Sequence, residues 1–202
     1  MKTLIIIDFQ KDFTKKEGSL YVKGSEEAEE GIINYINQNH KEIKEVVFTV
    51  DWHPLNHCSF KENGGIWPIH CVQFSEGAGI SDRIVRICQQ YGLSVKIFRK
   101  GELAQEEEYG AFVSGLLNSD KGEFTFYSST GRDEDSVVFE TLDWVVCGVA
   151  GDYCVKETLA NLINNNNQES KVSVLMSGIA SIDGGETLEK YLEEHRDKIE
   201  KI

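Results

Sequence analysis

The stretch WVVCGVAGDYCVKETLANLI, residues 144–163, decides how the chain is read. Its first four residues are apolar and predict a short buried strand. Residues 148–151 supply a tight turn with glycine at both ends. From Asp152 onward Val155, Leu159, Leu162 and Ile163 recur at helical spacing. Strand, turn and helix in that order are half of a βαβ unit, so an α/β organisation is expected. The same reading sets Cys154 in the first turn of the helix, where free backbone N–H groups and the positive end of the helix dipole favour a thiolate. Those N–H groups are also placed to hold an oxyanion forming on a carbonyl under attack. Taken alone, Cys154 reads more readily as a small buried apolar residue than as a nucleophile. The rest of the chain has to decide.

Working outward, residues 3–8, TLIIID, form a continuous apolar run ending in an acid, the pattern of a central parallel strand. Asp8 then emerges at its carboxyl end, where open α/β sheets hold their ligands. Residues 46–50 predict a second strand followed by Asp51, residues 94–98 a third followed by Arg99, Lys100 and Gly101, and residues 171–176 the last. Ser25 is read as the N-cap of a helix whose buried stripe is Ala28, Ile32, Tyr35 and Ile36. Ser81 is read as the cap of a second helix that Gly92 ends. Further helices are expected over 106–117 and 186–202, a polar loop over 9–21, a short extra strand within 122–132, and a helix exit and turn at 164–167. Residues 134–141 give no firm pattern. The alternation predicts a three-layer α/β fold, a doubly wound and mostly parallel sheet with helices on both faces, and residues 1–202 read as one domain.

Composition narrows the function. A net charge of −13 argues against nucleic acid, because a phosphate-binding surface needs clustered Lys and Arg. No apolar run has the length of a membrane span, and residues 3–7 are too few for a signal-peptide core. The five cysteines are an odd number with no CxxC pair, so a disulfide framework is not expected and a reducing cytoplasm is.

Two constellations carry chemistry. The strand ends deliver Asp8, Asp51, Lys100 and the Cys154 turn to one edge of the sheet. A carboxylate that takes a thiol proton, beside an ammonium that stabilises negative charge, makes a workable nucleophile system. Singly, Asp8 and Lys100 read as strand-end surface charges. The second constellation is Asp51 and His53, then His57 and His70, in a stretch over 52–78 that has neither helical nor strand period. That stretch holds three of the five histidines and two of the three tryptophans, which favours function over disorder. A carboxylate with imidazoles suits zinc, iron(II) or manganese.

In these residues and the motifs around them, the chain resembles the nicotinamidase (pyrazinamidase) family of the isochorismatase-like cysteine hydrolases. The matching pieces are IIIDFQKDF at 5–13, DWHPLNHCSF at 51–60, GGIWPIHCVQ at 64–73, FRKG at 98–101, YGAF at 109–112 and CGVAGDYCVKET at 147–158. The resemblance implies a triad of Asp8, Lys100 and Cys154, and an oxyanion hole from the N–H groups of Ala150 and Cys154. It implies a cis peptide between Val149 and Ala150 that aims the first of those N–H groups. Asp51, His53 and His70 would hold one divalent metal ion, zinc first with iron or manganese as alternatives. Phe13, Trp67 and Tyr109 would wall a site for nicotinamide or a similar carboxamide, hydrolysed to the acid and ammonia in NAD salvage. His57 is expected beside the ligands rather than among them, and His40 and His195 at solvated helix ends. A homo-oligomer is compatible with the sequence. The alternatives are a related cysteine amidohydrolase acting on another small amide or ureido compound, and a catalytically silent metal-binding module. Departures from the family pattern fall at residues 107–112, where DSYSAF is usual, at 74–75, where HCVQGT becomes HCVQFS, and over 121–135.

Overall fold

The computed structural model describes residues 1–165 and 170–202. In chain order the elements are β1 (Lys2–Ile7), α1 (Lys11–Thr14), α2 (Ser25–Asn39), β2 (Ile43–Asp51), α3 (Asp82–Gln90), β3 (Ser94–Lys100), β4 (Ser114–Asn118), β5 (Glu123–Tyr127), β6 (Ser136–Phe139), β7 (Asp143–Gly148), α4 (Lys156–Asn165), β8 (Lys171–Ile179), α5 (Glu186–Glu194) and β9 (Ile199–Lys201). Six strands form a parallel sheet in the order β3-β2-β1-β7-β8-β9. A second sheet, β4-β5-β6, is antiparallel.

The apolar run of β1 follows from cover on both faces. Leu4 and Ile6 pack with Ile32 and Ile36 of α2 and with Ile84 and Cys88 of α3. Ile5 and Ile7 point the other way, to Leu159 and Leu162 of α4, Leu188 and Leu192 of α5, and the phenylalanines of the small sheet. A period of two along one buried strand thus feeds two cores. From β1 the chain builds outward on one side through β2 and β3, then returns to the other side at β7. The sheet order therefore reverses between β1 and β7, and a crevice opens at their carboxyl ends.

Several sequence expectations need correction. Residues 106–117 are not helical: 106–113 run irregularly against α4 and then enter β4. Side chains of α4 satisfy that backbone instead. The Ala111 N–H donates to Thr158 Oγ1 (3.1 Å), Asn161 Nδ2 donates to the Ala111 carbonyl (2.8 Å), and Asn165 Nδ2 to the Phe112 carbonyl (3.0 Å). The loop over 9–21 contains α1. Ser25 is the first residue of α2 rather than its cap, a place taken by Gly24 at φ 92°, and its hydroxyl donates to the Thr14 carbonyl. Ser81 does cap α3, accepting from the Ile84 N–H. The closing helix stops at Glu194, and the chain adds β9 at the sheet edge. Ile199 lies seven residues after Leu192, a helical spacing, yet it buries beside Val172 in β8. Of the turn expected at 164–167, Asn164 and Asn165 belong to α4, and 166–167 lie outside the described residues. Among the described residues no helix is long and apolar enough to cross a membrane, and all five cysteines are free.

Candidate active site

Asp8 leaves β1 with φ 45° and is fully buried. Its Oδ1 accepts from Thr49 Oγ1 at 2.6 Å, and its Oδ2 lies 3.0 Å from Lys100 Nζ. Lys100, the last residue of β3, is equally buried. Its ammonium also donates to Asp51 Oδ1 and to the Glu108 carbonyl (3.1 Å), and it sits 3.7 Å from Cys154 Sγ. One ammonium therefore meets the two carboxylates and the thiol that the strand ends were expected to bring together.

Cys154 is held by a π-helical turn, Gly151–Val155, in which the Val155 N–H reaches back to the Ala150 carbonyl at 3.1 Å. The preceding Val149–Ala150 peptide is cis, as the resemblance implied. Gly148 enters this turn at φ 123°, and a Cβ there would lie 2.1 Å from the Ile7 carbonyl oxygen. Only glycine lets β7 run so close to β1 at the crevice. Ala150 and Cys154 then line one pocket together.

Burial changes the charge logic read from the local sequence. The helix N-terminus was expected to favour a thiolate at Cys154. Instead burial, reinforced by Asp8 and Asp51, holds the thiol well above its ordinary value, with Lys100 opposing. Burial likewise pushes Asp8 up to about 6, against the pull of Lys100 and with a further push from Asp51. Burial would raise Asp51 as well, but Lys100, His53 and His70 hold it well below the usual carboxylate range. The resting arrangement is thus a protonated thiol beside a carboxylate whose affinity for a proton has been raised.

The second constellation is assembled on the Asp51 carboxylate. Its Oδ2 lies 3.5 Å from His53 Nε2 and 3.9 Å from His70 Nε2. One ligand atom from each of Asp51, His53 and His70 falls within 4.8 Å of the others. His53 Nδ1 is 2.9 Å from the Gly101 carbonyl, and His70 Nδ1 is 2.8 Å from that of Pro68. A carbonyl can only accept, so Nδ1 carries the proton in each ring and the Nε2 lone pairs face the carboxylate. Two imidazoles oriented in this way, with one carboxylate, fit a divalent cation. Asp51 joins the constellations, one oxygen on the lysine and the other toward the histidines.

His57 stacks on His53 with ring centroids 4.0 Å apart, but its nitrogens are engaged by Ser59 Oγ (2.7 Å) and the Glu106 carbonyl (3.0 Å). Burial and the neighbouring His53 push it down to about 4. His40 and His195 lie at the C-terminal ends of α2 and α5, stacked on Tyr91 and Tyr191.

Phe13, Trp67 and Tyr109 line the pocket above Cys154, with the Trp67 indole N–H donating to the Tyr109 hydroxyl at 3.0 Å. Sequence reasoning missed Tyr153, which packs against both Trp67 (5.1 Å) and Tyr109 (5.5 Å). It also missed Thr49, and Gln10, whose side chain donates to the Asp51 carbonyl and accepts from the Asp51 N–H, both at 2.8 Å. Gln10 stands two residues after Asp8 within a quoted motif, which was the one available signal. Thr49 looked like any strand residue.

No protein-family model matches the chain. The nicotinamidase of Saccharomyces cerevisiae is 31% identical over 182 residues, 78% of this chain and 79% of the relative. Among solved structures, PnC1 from L. infantum in complex with nicotinate aligns with a TM-score of 0.74 at 30% identity, over 100% of this chain and 92% of that one. The pyrazinamidase of Pyrococcus horikoshii in complex with zinc gives 0.70 at 28%, over 100% and 98%.

Proposed function

The chain belongs to the nicotinamidase family, and from that premise we propose that it hydrolyses nicotinamide to nicotinate and ammonia. The observation that carries this reading is the single buried ammonium of Lys100 in reach of Asp8, Asp51 and Cys154, beneath an aromatic-walled pocket. Asp8 takes the proton of Cys154, and the sulfur attacks the carboxamide carbon. The oxyanion is held by the N–H groups of Ala150 and Cys154, and Asp8 returns the proton to the departing ammonia. Water, deprotonated by the same carboxylate, then hydrolyses the thioester and releases the acid and the thiol. Lys100 offsets the negative charge that accumulates in these steps. Asp51, His53 and His70 would hold the divalent cation, zinc first with iron or manganese as alternatives, which when bound supplies a Lewis-acid contact that orients the ring nitrogen. Phe13, Trp67 and Tyr109 wall the ring. The proposal has residues 1–202 act as one domain in the cytoplasm, in keeping with five free cysteines.

The test is ammonia release from a panel of pyridine, pyrazine and aliphatic carboxamides, with metal analysis of the same preparation. Turnover confined to aliphatic or ureido compounds would overturn the substrate.

Two expected results follow from the geometry. His53→Ala and His70→Ala each remove one of three ligands and should lose the bound metal and raise KM sharply, with a loss of metal affinity beyond the about 10- to 100-fold that losing a residue behind a ligand costs. Full metal content in both variants, by elemental analysis, contradicts the ligand assignment. The second concerns pH. Because Asp8 is pushed up to about 6 and must be ionised to accept the thiol proton, kcat/KM at saturating metal should fall as pH drops through about 6. A rate that stays flat down to pH 5 removes Asp8 as the base.

A further inference from the structure

Residues 121–135, unlike the family in the sequence, form β5 and the turn into β6, and this turn reaches back to the carboxyl end of β3. Arg132 pairs with Asp135 (2.5 Å) and with Glu102 (3.5 Å), while Arg99 pairs with Glu102 and Asp135 (both 3.6 Å). Arg99 and Glu102 flank Lys100 and Gly101, so the turn grips that corner from outside. These arginines are about half exposed, and such pairs hold weakly.

The stronger link is internal. The side chain of Glu108 is buried, with its residue 6% exposed. Its Oε1 accepts from the Ser129 N–H (3.0 Å); its Oε2 accepts from the Ser129 hydroxyl (3.0 Å) and from the Gly101 N–H (2.9 Å). Two peptide donors on opposite oxygens require an acceptor-only group, because an amide would turn its NH2 toward one of them. Glu108 also offers its own carbonyl to Lys100 Nζ at 3.1 Å. Gly101, whose N–H it holds, presents its carbonyl to His53 Nδ1 at 2.9 Å. Gly101 sits at φ 64°, where a Cβ would come within 2.4 Å of the His53 ring. Two chains of bonds therefore start at one residue that the reaction does not use. One ends on the triad ammonium, the other on an imidazole of the cation site.

We propose that Glu108, braced by Ser129, is a positioning residue that sets both Lys100 and His53, giving the 121–135 segment a part in building the site. Only the kinetic arm of the test rests on the amidase reading above. Glu108→Gln and Ser129→Ala would be compared with wild type in three measurements. These are zinc affinity by titrating metal-free protein, the rate at which iodoacetamide alkylates Cys154 in metal-free protein (read on its peptide by mass spectrometry), and kcat and KM for nicotinamide. Glu108→Gln is expected to weaken zinc by about 10-fold, the lower end of the scale for a partner bonded directly to a ligand because Gly101 stands between Glu108 and His53, to slow alkylation, and to lower kcat. Ser129→Ala should move all three in the same direction by less. If Glu108→Gln does not fold, Ser129→Ala alone decides. Wild-type zinc affinity and alkylation rate in a folded variant, whatever its melting temperature, mean that Glu108 only stabilises the loop and overturn the proposal. Should wild type release no ammonia from nicotinamide, the amidase reading fails, while the zinc and alkylation measurements still judge Glu108.

Discussion

Cys154→Ala is expected to lower kcat for ammonia release by about 10^6-fold, the scale on which a hydrolase loses its nucleophile, while leaving fold and metal content unchanged. Geometry sets this expectation. Sγ lines the pocket floor 3.7 Å from Lys100 Nζ. Cys154 also groups with Asp8 and Asp51 within 4.8 Å, but the Lys100 ammonium stands among those three, which leaves Asp51, His53 and His70 as the set that suits a metal cation. The electrostatics sharpen it. The thiol rests protonated because burial and two carboxylates hold it well above the ordinary range, so it reacts only by handing its proton to Asp8. Alanine removes both the sulfur and that proton, and nothing else in the pocket replaces them. Circular dichroism and elemental analysis check the unchanged fold and metal. Thiol labelling of wild type supplies the independent check. Inactivation that tracks modification of Cys58 or Cys71, with Cys154 untouched, would sink the assignment.

Lys100→Met should be the most destabilising single change in the site, at about 3–5 kcal/mol in metal-free protein, and it should be inactive. Asp8 and Asp51 are both buried, and the ammonium touches both. Methionine keeps the length of the side chain and leaves two carboxylates facing each other without the cation that neutralised both. The sign with pH follows from their protonation. A carboxyl group already pushed up in the folded state by burial, as Asp8 is, is pushed further once the lysine is gone. Its penalty is largest above its folded value and is relieved as pH falls toward the unfolded value of about 3.9. Urea denaturation at pH 7.5 and pH 5 should therefore show the gap between variant and wild type narrowing on acidification. A gap that is small, or that widens toward acid, contradicts the role given to the ammonium. Activity disappears for the same reason, since an Asp8 that is protonated at neutral pH cannot accept the thiol proton.

How far the sequence reaches can be judged from particular residues. Asp8 and Asp51 were legible because each directly follows an apolar run, and Lys100 because it stands just past a predicted strand, and a strand's end is a local property. Cys154 was legible because a glycine-bounded turn sits between such a run and a helical repeat. The candidate group of Asp51, His53 and His70 was legible because a stretch of that length without period, opening right after Asp51, is itself a signal. Misreadings arose where a local pattern has two solutions. Residues 106–117 lack a helix because Thr158, Asn161 and Asn165 satisfy their backbone from another element. Ile199 keeps helical spacing from Leu192 while pairing with Val172 in a strand.

By itself, then, the amino-acid order determined the alternation of elements, the edge of the sheet at which the chemistry gathers, and which residue types meet there. Hydrophobic periodicity and strand direction are short-range properties of the chain, and a parallel topology turns them into a common edge. Tertiary structure alone decided the state in which those residues stand. It set one oxygen of Asp51 on Lys100 and the other toward two imidazoles. It brought in Thr49, Gln10, Glu108 and Tyr153, and it turned Cys154 from the thiolate its helix end would favour into a buried thiol. The reason is that desolvation and hydrogen bonding act through space. Lys100 is 92 positions from Asp8 and 54 from Cys154, and the charge each carries depends on the other two being dry and within about 4 Å.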